Sequence, residues 1–299
     1  MQPASESQTS VQTTTLSEGT NRKRRRDDDL LDASDSALTP LERMQIRLVR
    51  ATLRPGRLDD AIRVCQRSVG QFWIRAVTAR LRRVHGTERL PVWDRSGSVI
   101  LVANHRSFFD LYVTAAELVS RGLPHRILFP VRSTFFYDHP LGPAVNGLAS
   151  FFAMYPPIFR DRKRAALNLA SLDELAALLR RGGFFVGIHP EGTRKKDADP
   201  YALLPAQSGV GRVVHKARVP VIPVFVNGLG NDFARQLRAG VTGRGEPIHI
   251  VFGRPIHFGT LVDSPGNPRT YKAIADRCVD AIAELGQEEK RLRHDIRSR

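Results

Sequence analysis

Cysteine is nearly absent from this chain: Cys65 and Cys278 are the only two in 299 residues. Two thiols cannot build a disulfide framework or a zinc site of four cysteines, and they fit a reducing compartment. Long apolar runs are missing too. No stretch approaches about 18 consecutive apolar residues, so no transmembrane helix is expected. The segment from Met1 to Asn21 is polar and lacks the apolar centre of a secretory signal. Lysine is scarce within an abundant basic set, since 39 of the 46 basic residues are arginine.

Several catalytic signatures are absent as well. A serine hydrolase needs Gly-x-Ser-x-Gly, and the nearest match, Ala206-Gln207-Ser208-Gly209, lacks the first glycine. A dinucleotide fold needs Gly-x-Gly-x-x-Gly, and Gly209-Val210-Gly211 lacks the third. There is no phosphate-binding P-loop and no His-Glu-x-x-His zinc motif.

What is present is arginine in excess and a net charge of +16. A guanidinium grips phosphate or carboxylate in a two-pronged fork, so the surplus favours polyanionic partners. Nucleic acid is the alternative partner class, argued from that charge and from Arg22–Arg26. Against it, no zinc-finger spacing, aromatic RNA-binding block or basic zipper occurs. No nucleic-acid partner is therefore expected.

Composition divides the chain into three parts. Residues 1–38 are rich in Ser, Thr and Gln and read as a disordered polar tail. Residues 39–86 read as an N-terminal amphipathic helical pair, over 41–54 and about 59–84. In the first, Leu41, Met44, Leu48 and Val49 oppose Arg43, Arg47, Arg50 and Arg54, a pattern suited to an anionic membrane surface. In the second, Ile62, Cys65, Val69, Phe72, Trp73 and Ala76 share a face. Residues 87–299 alternate strands and helices. Strands are expected at 98–103, 126–131, 150–155, 184–188, 219–226 and 248–252. Helices are expected at 110–120, 164–181 and 271–285. This pattern implies an α/β domain with a mostly parallel sheet flanked by helices.

In open α/β sheets, ligands bind at the carboxyl ends of the strands. Two strand exits carry chemistry. After Ser98–Ala103 comes Asn104-His105-Arg106-Ser107-Phe108-Phe109-Asp110. His105 is a candidate general base near neutral pH, and Asp110 a candidate to fix its tautomer. Ser107 reads as a turn or capping residue. After Phe184–Ile188 comes His189-Pro190-Glu191-Gly192-Thr193-Arg194. Gly192 permits a tight turn, Thr193 offers a hydroxyl, and Arg194 a forked donor for phosphate. Glu191 is placed to hold an acceptor hydroxyl or to orient Arg194.

Together these blocks resemble those of the glycerolipid acyltransferases, Asn-His-x-Ser-x-x-Asp and Phe-Pro-Glu-Gly-Thr-Arg. Phe159-Arg160-Asp161-Arg162 resembles the family's second block, which puts its phosphate-contacting arginine at Arg162, with Arg160 as the alternative. Val219–Val224 resembles the fourth. The resemblance spans about residues 98–228 and implies an α/β acyltransferase fold. It implies acyl transfer from acyl-CoA or an acyl-carrier protein to a glycerophosphate acceptor such as lysophosphatidate, in phospholipid synthesis. His105 would be the base and Asp110 its orienter. Arg194 and Arg162, or Arg160, would clamp the acceptor phosphate. Asn104 and the amides at the start of the Asp110 helix are candidates for the oxyanion. No metal or cofactor beyond the thioester co-substrate is implied. The implied location is a cytoplasmic membrane surface. One departure stands out: His189 occupies the place of the family's phenylalanine, and no catalytic role is assigned to it.

Overall fold

The computed structural model describes residues 30–31, 37–195 and 199–297, apart from the side chains of 135, 162, 233, 296 and 297. Most of the expected polar tail, including Arg22–Arg26, lies outside the described residues. Its final stretch departs from the tail reading: Leu30 and Leu38 pack into the core.

Three helices open the fold: α1 (Pro40–Thr52), α2 (Arg57–Arg67) and α3 (Val69–Thr78). Thr39 caps α1 through a reciprocal pair with Glu42, whose side chain accepts the Thr39 N–H at 2.8 Å. The single helix expected over 59–84 is instead α2, a break at Ser68, α3 and a strand, β1 (Arg82–His85). The apolar faces are also redrawn. Glu42, Gln45, Ile46 and Val49 are buried on α1, whereas Met44 and Leu48 are 54% and 42% exposed. On α3, Val69 and Phe72 face outward and Ile74 is buried. Arg50 is drawn inward to Glu174, its Nε donating to Oε1 at 2.8 Å.

The rest of the chain alternates β2 (Val99–Ala103), α4 (Asp110–Ser120), β3 (Arg126–Arg132), α5 (Ser133–Phe136), α6 (Gly142–Ser150), β4 (Met154–Ile158), α7 (Ala165–Arg181), β5 (Phe184–Ile188), α8 (Ser208–Ala217), β6 (Val221–Asn227), α9 (Phe233–Thr242), β7 (Ile248–Phe252) and α10 (Pro268–Arg297). The strand expected at 150–155 is displaced: α6 occupies its start and β4 follows. The strands form one sheet in the order β1-β7-β6-β2-β5-β3-β4. Every pairing is parallel except β6 with β7. Because β1 joins this sheet, the N-terminal segment is built into the α/β layer rather than set in front of it.

The sheet is covered on both faces, which is why its strands read as unbroken apolar runs. Ile100 and Val102 of β2 enter one core with α7, α8 and α10. Val99, Leu101 and Ala103 enter the other, with α4 and Ile74 of α3. Strand β2 sits at the centre, flanked by β6 and β5, so the carboxyl ends of these three parallel strands open side by side.

Candidate active site

The register of β2 on β5 pairs Val102 with Ile188. It therefore brings the turn after Ala103 against the turn after Ile188, although 81 residues separate Asp110 from Glu191. His105 occupies the first turn, 20% exposed at its side chain, and its Nδ1 stands 3.7 Å from Oδ2 of Asp110. Asp110 opens α4 and is fully buried. Its Oδ2 accepts the N–H groups of Arg106 at 2.8 Å and Ser107 at 2.7 Å, which closes the turn around His105.

Burial sets the charges here. It pushes the His105 imidazole down to about 4, and the nearby Arg194 guanidinium adds to the effect. It pushes the Asp110 carboxyl up to about 6. Near neutral pH the pair is thus a neutral imidazole beside a carboxylate, the state a general base requires.

The second turn delivers His189, Glu191, Gly192, Thr193 and Arg194. Gly192 adopts φ +67°, and a Cβ there would meet Gln207 Cγ at 2.9 Å. His189 stacks on His105, with ring centroids 3.8 Å apart. Lys195 donates its N–H to the His105 carbonyl at 3.2 Å. Arg194 is exposed, and its Nη1 donates to Asn231 at 2.8 Å. Arg160 reaches the same turn, its Nη2 donating to the Thr193 hydroxyl at 3.3 Å. The side chain of Arg162 lies outside the described residues.

Residues 81–227 match the acyltransferase family model. The human 1-acyl-sn-glycerol-3-phosphate acyltransferase alpha is 27% identical over 205 residues, which are 69% of this chain and 63% of that protein. A Chlamydomonas reinhardtii 1-acyl-sn-glycerol-3-phosphate acyltransferase is 32% identical over 178 residues, 58% of this chain and 47% of that one. Residues 81–227 thus carry an acyltransferase-family domain, and the named relatives it resembles are glycerolipid acyltransferases. The solved structure of the 1-acyl-sn-glycerophosphate (LPA) acyltransferase PlsC from Thermotoga maritima shares the fold. Its TM-score is 0.50 at 20% identity, covering 81% of this chain and 86% of that one. The chain spans half the length of the bovine alpha enzyme that it also matches.

Within this site, two residues sit differently from their sequence reading. Asn104 is buried, and both ends of its amide are taken by Val226: Nδ2 donates to the carbonyl and Oδ1 accepts the N–H, each at 2.8 Å. A buried amide needs such partners, and these occupy its carbonyl oxygen and one of its two Nδ2 hydrogens. The amides of the turn before α4 are engaged too. Those of Arg106 and Ser107 go to Asp110, that of Phe108 to Asn231 at 3.3 Å, and that of Phe109 to the Ser107 hydroxyl at 3.2 Å. Glu191 is 3% exposed, and both its oxygens accept backbone N–H groups, from His105 and Leu204. It holds the turns together rather than facing a substrate hydroxyl.

Asn231 escaped the sequence reading. Its Oδ1 receives Arg194 and Phe108, and its Nδ2 donates to the Arg106 carbonyl at 3.1 Å. It lies just past β6, the third of the adjacent strand exits. The strand-exit rule applied to Val221–Asn227 would have found it.

Proposed function

We propose that the chain transfers an acyl group from acyl-CoA or an acyl-carrier protein to a hydroxyl of a phosphorylated glycerolipid, with lysophosphatidate the leading acceptor. The observation that carries this is the His105–Asp110 pair, neutral beside ionised, set against the Arg194 turn at the mouth of the central strands. His105 takes the hydroxyl proton as the oxygen attacks the thioester carbonyl. Asp110 stabilises the imidazolium that results. The 3.7 Å gap closes in the substrate complex, where such bonds tighten. The thioester sulfur leaves as a thiol, so no enzyme nucleophile is needed. Arg194 and Arg162, or Arg160, hold the acceptor phosphate.

No helix among the described residues is long and apolar enough to cross a membrane. Exposed Met44, Leu48, Val69 and Phe72, with exposed Arg47 and Arg54, support docking of the N-terminal helices on an anionic membrane surface in the cytoplasm. This would serve phospholipid synthesis.

Thiol release and lipid mass spectrometry with acyl-CoA and lysophosphatidate test the reading. His105→Ala is expected to lose about 10²–10⁴-fold in rate, the usual contribution of a positioned base. Full activity in that variant refutes the assignment. Liposome and DNA binding run in parallel over a salt series separates a membrane partner from a nucleic-acid partner.

A further inference from the structure

The ring of His189 lies flat on that of His105, with planes 9° from parallel. Two features hold it there. The β2–β5 register sets it beside the turn, and its Nδ1 lies 3.0 Å from the Ala103 carbonyl oxygen. A carbonyl only accepts, so Nδ1 carries the hydrogen and Nε2 is bare. Burial keeps both rings neutral near pH 7, with His189 pushed down to about 3. Asp110 from α4, Arg106 from the turn, and Arg194 and Glu191 from the neighbouring turn are charged groups around the pair.

His105, His189 and Asp110 also offer ligand atoms within 4.8 Å of one another. A metal ion bound in line with both imidazole nitrogens must lie in both ring planes. Parallel planes stacked face to face share no such point, so this arrangement is a stack and not a chelate.

The stack answers a need of the base. His105 Nδ1 is buried and has no hydrogen-bond partner among the described residues. At 3.7 Å, Asp110 is beyond bonding distance. No hydrogen bond to Nδ1 fixes the ring, so its face contact bears on its orientation. We propose that His189 is a positioning residue for acyl transfer: its ring face fixes the rotamer of His105 and excludes water from one side of it. When His105 takes the proton, the same face lies against the new cation, a favourable arrangement for a π-surface. This proposal rests on His105 acting as the base.

The test compares His189→Phe, which keeps a flat face, with His189→Leu, which fills the space without one. The full chain is assayed with acyl-CoA and lysophosphatidate. The His105 ring is titrated by NMR, its signal identified by its loss in His105→Ala. His189→Phe is expected to keep most of kcat. His189→Leu is expected to lose on the order of 10- to 100-fold in kcat with KM unchanged, as a misplaced reacting group does. Because leucine keeps water out but offers no face to the cation, the His105 midpoint is expected to fall below its wild-type value in His189→Leu and not in His189→Phe. Equal kcat in the two variants, or a loss confined to KM, overturns the proposal. Circular dichroism checks folding. If the leucine variant is unfolded, His189→Gln carries the comparison, since it can keep the bond to Ala103 without a ring. The titration needs no turnover. An inactive wild type refutes the acyl-transfer reading, whereas an unmoved midpoint in His189→Leu refutes the stack.

Discussion

Glu191 accepts the backbone N–H of His105 at 2.8 Å, joining segments 86 residues apart in the chain. Its second oxygen accepts the Leu204 N–H at the same distance. One buried carboxylate thus ties the base-bearing turn, the arginine-bearing turn and the loop before α8.

Replacing that carboxylate tests the tie. Glu191→Gln turns one acceptor oxygen into an NH₂ donor that confronts an N–H. A buried donor left unpaired costs about 1–3 kcal/mol. Urea unfolding should show a loss of that size, and kcat should fall as His105 loses its anchor. Wild-type stability together with wild-type turnover would remove Glu191 from this role.

Asp110 carries a stability cost that its chemistry requires. Its carboxyl titrates near 3.8 when unfolded and near about 6 when folded. Between those pH values the folded chain keeps a proton that the unfolded chain has released. Stability from this group therefore falls as pH rises through that window, and the cost is complete above about pH 6. Asp110→Asn fills the same space with a group that never ionises. It should raise the unfolding free energy at pH 7.5 by about 1–3 kcal/mol, at roughly 1.4 kcal/mol per pKa unit. It should also abolish most acyl transfer. Wild-type activity also needs the ionised carboxylate, so its rate should fall as pH drops through about 6. A destabilised but active Asp110→Asn chain contradicts both halves.

The arginines are separable by acceptor. Arg194→Ala and Arg160→Ala should each raise KM for a phosphorylated acceptor about tenfold or more, the worth of a charge-assisted bond. Neither should change KM for an unphosphorylated monoacylglycerol. Arg162→Ala, run alongside, shows which of the two arginines of that segment reads the phosphate. Equal shifts for both acceptors would show that these side chains do not read the phosphate.

A fourth expectation concerns the opposite end of the sheet. Arg126 is fully buried, with Nη1 3.7 Å from Asp59 Oδ1 and Nη2 donating to the Thr52 hydroxyl at 3.2 Å. Asp59→Ala strands that guanidinium and should lower the unfolding free energy by about 3–5 kcal/mol. Adding Arg126→Met should recover much of the loss. An additive double variant, measured by urea unfolding, would show that the two groups do not depend on each other.

The site was legible in the sequence where one rule governs it. Strands that are apolar throughout announce a sheet covered on both faces, and polar residues at their exits mark a candidate site, so the gathering of His105, Asp110 and Arg194 at neighbouring strand exits could be read directly. What failed was whatever depends on a partner far along the chain. Arg82–His85 carries no apolar run, and only pairing with β7 makes it a strand. Met44 and Leu48 sit at helical spacing with Val49, yet Ile46 and Gln45 lie on the side that meets the core. Glu191 and Asn104 look like substrate ligands by type, and only the fold shows that backbone amides already use them. The His105–His189 stack was hidden for the same reason: it follows from strand register, which no local pattern states.

His105, Asp110 and Arg194 project from β2 and β5, with Asn231 added by β6, three strands lying together inside the sheet, while Arg160 reaches in from the end of β4. The outermost strand β1, on the opposite margin, holds none of those groups at its tip. Loops on that margin are therefore free to lengthen, shorten or meet other molecules while the candidate site keeps its shape. New specificities can be grafted there without rebuilding the reaction itself.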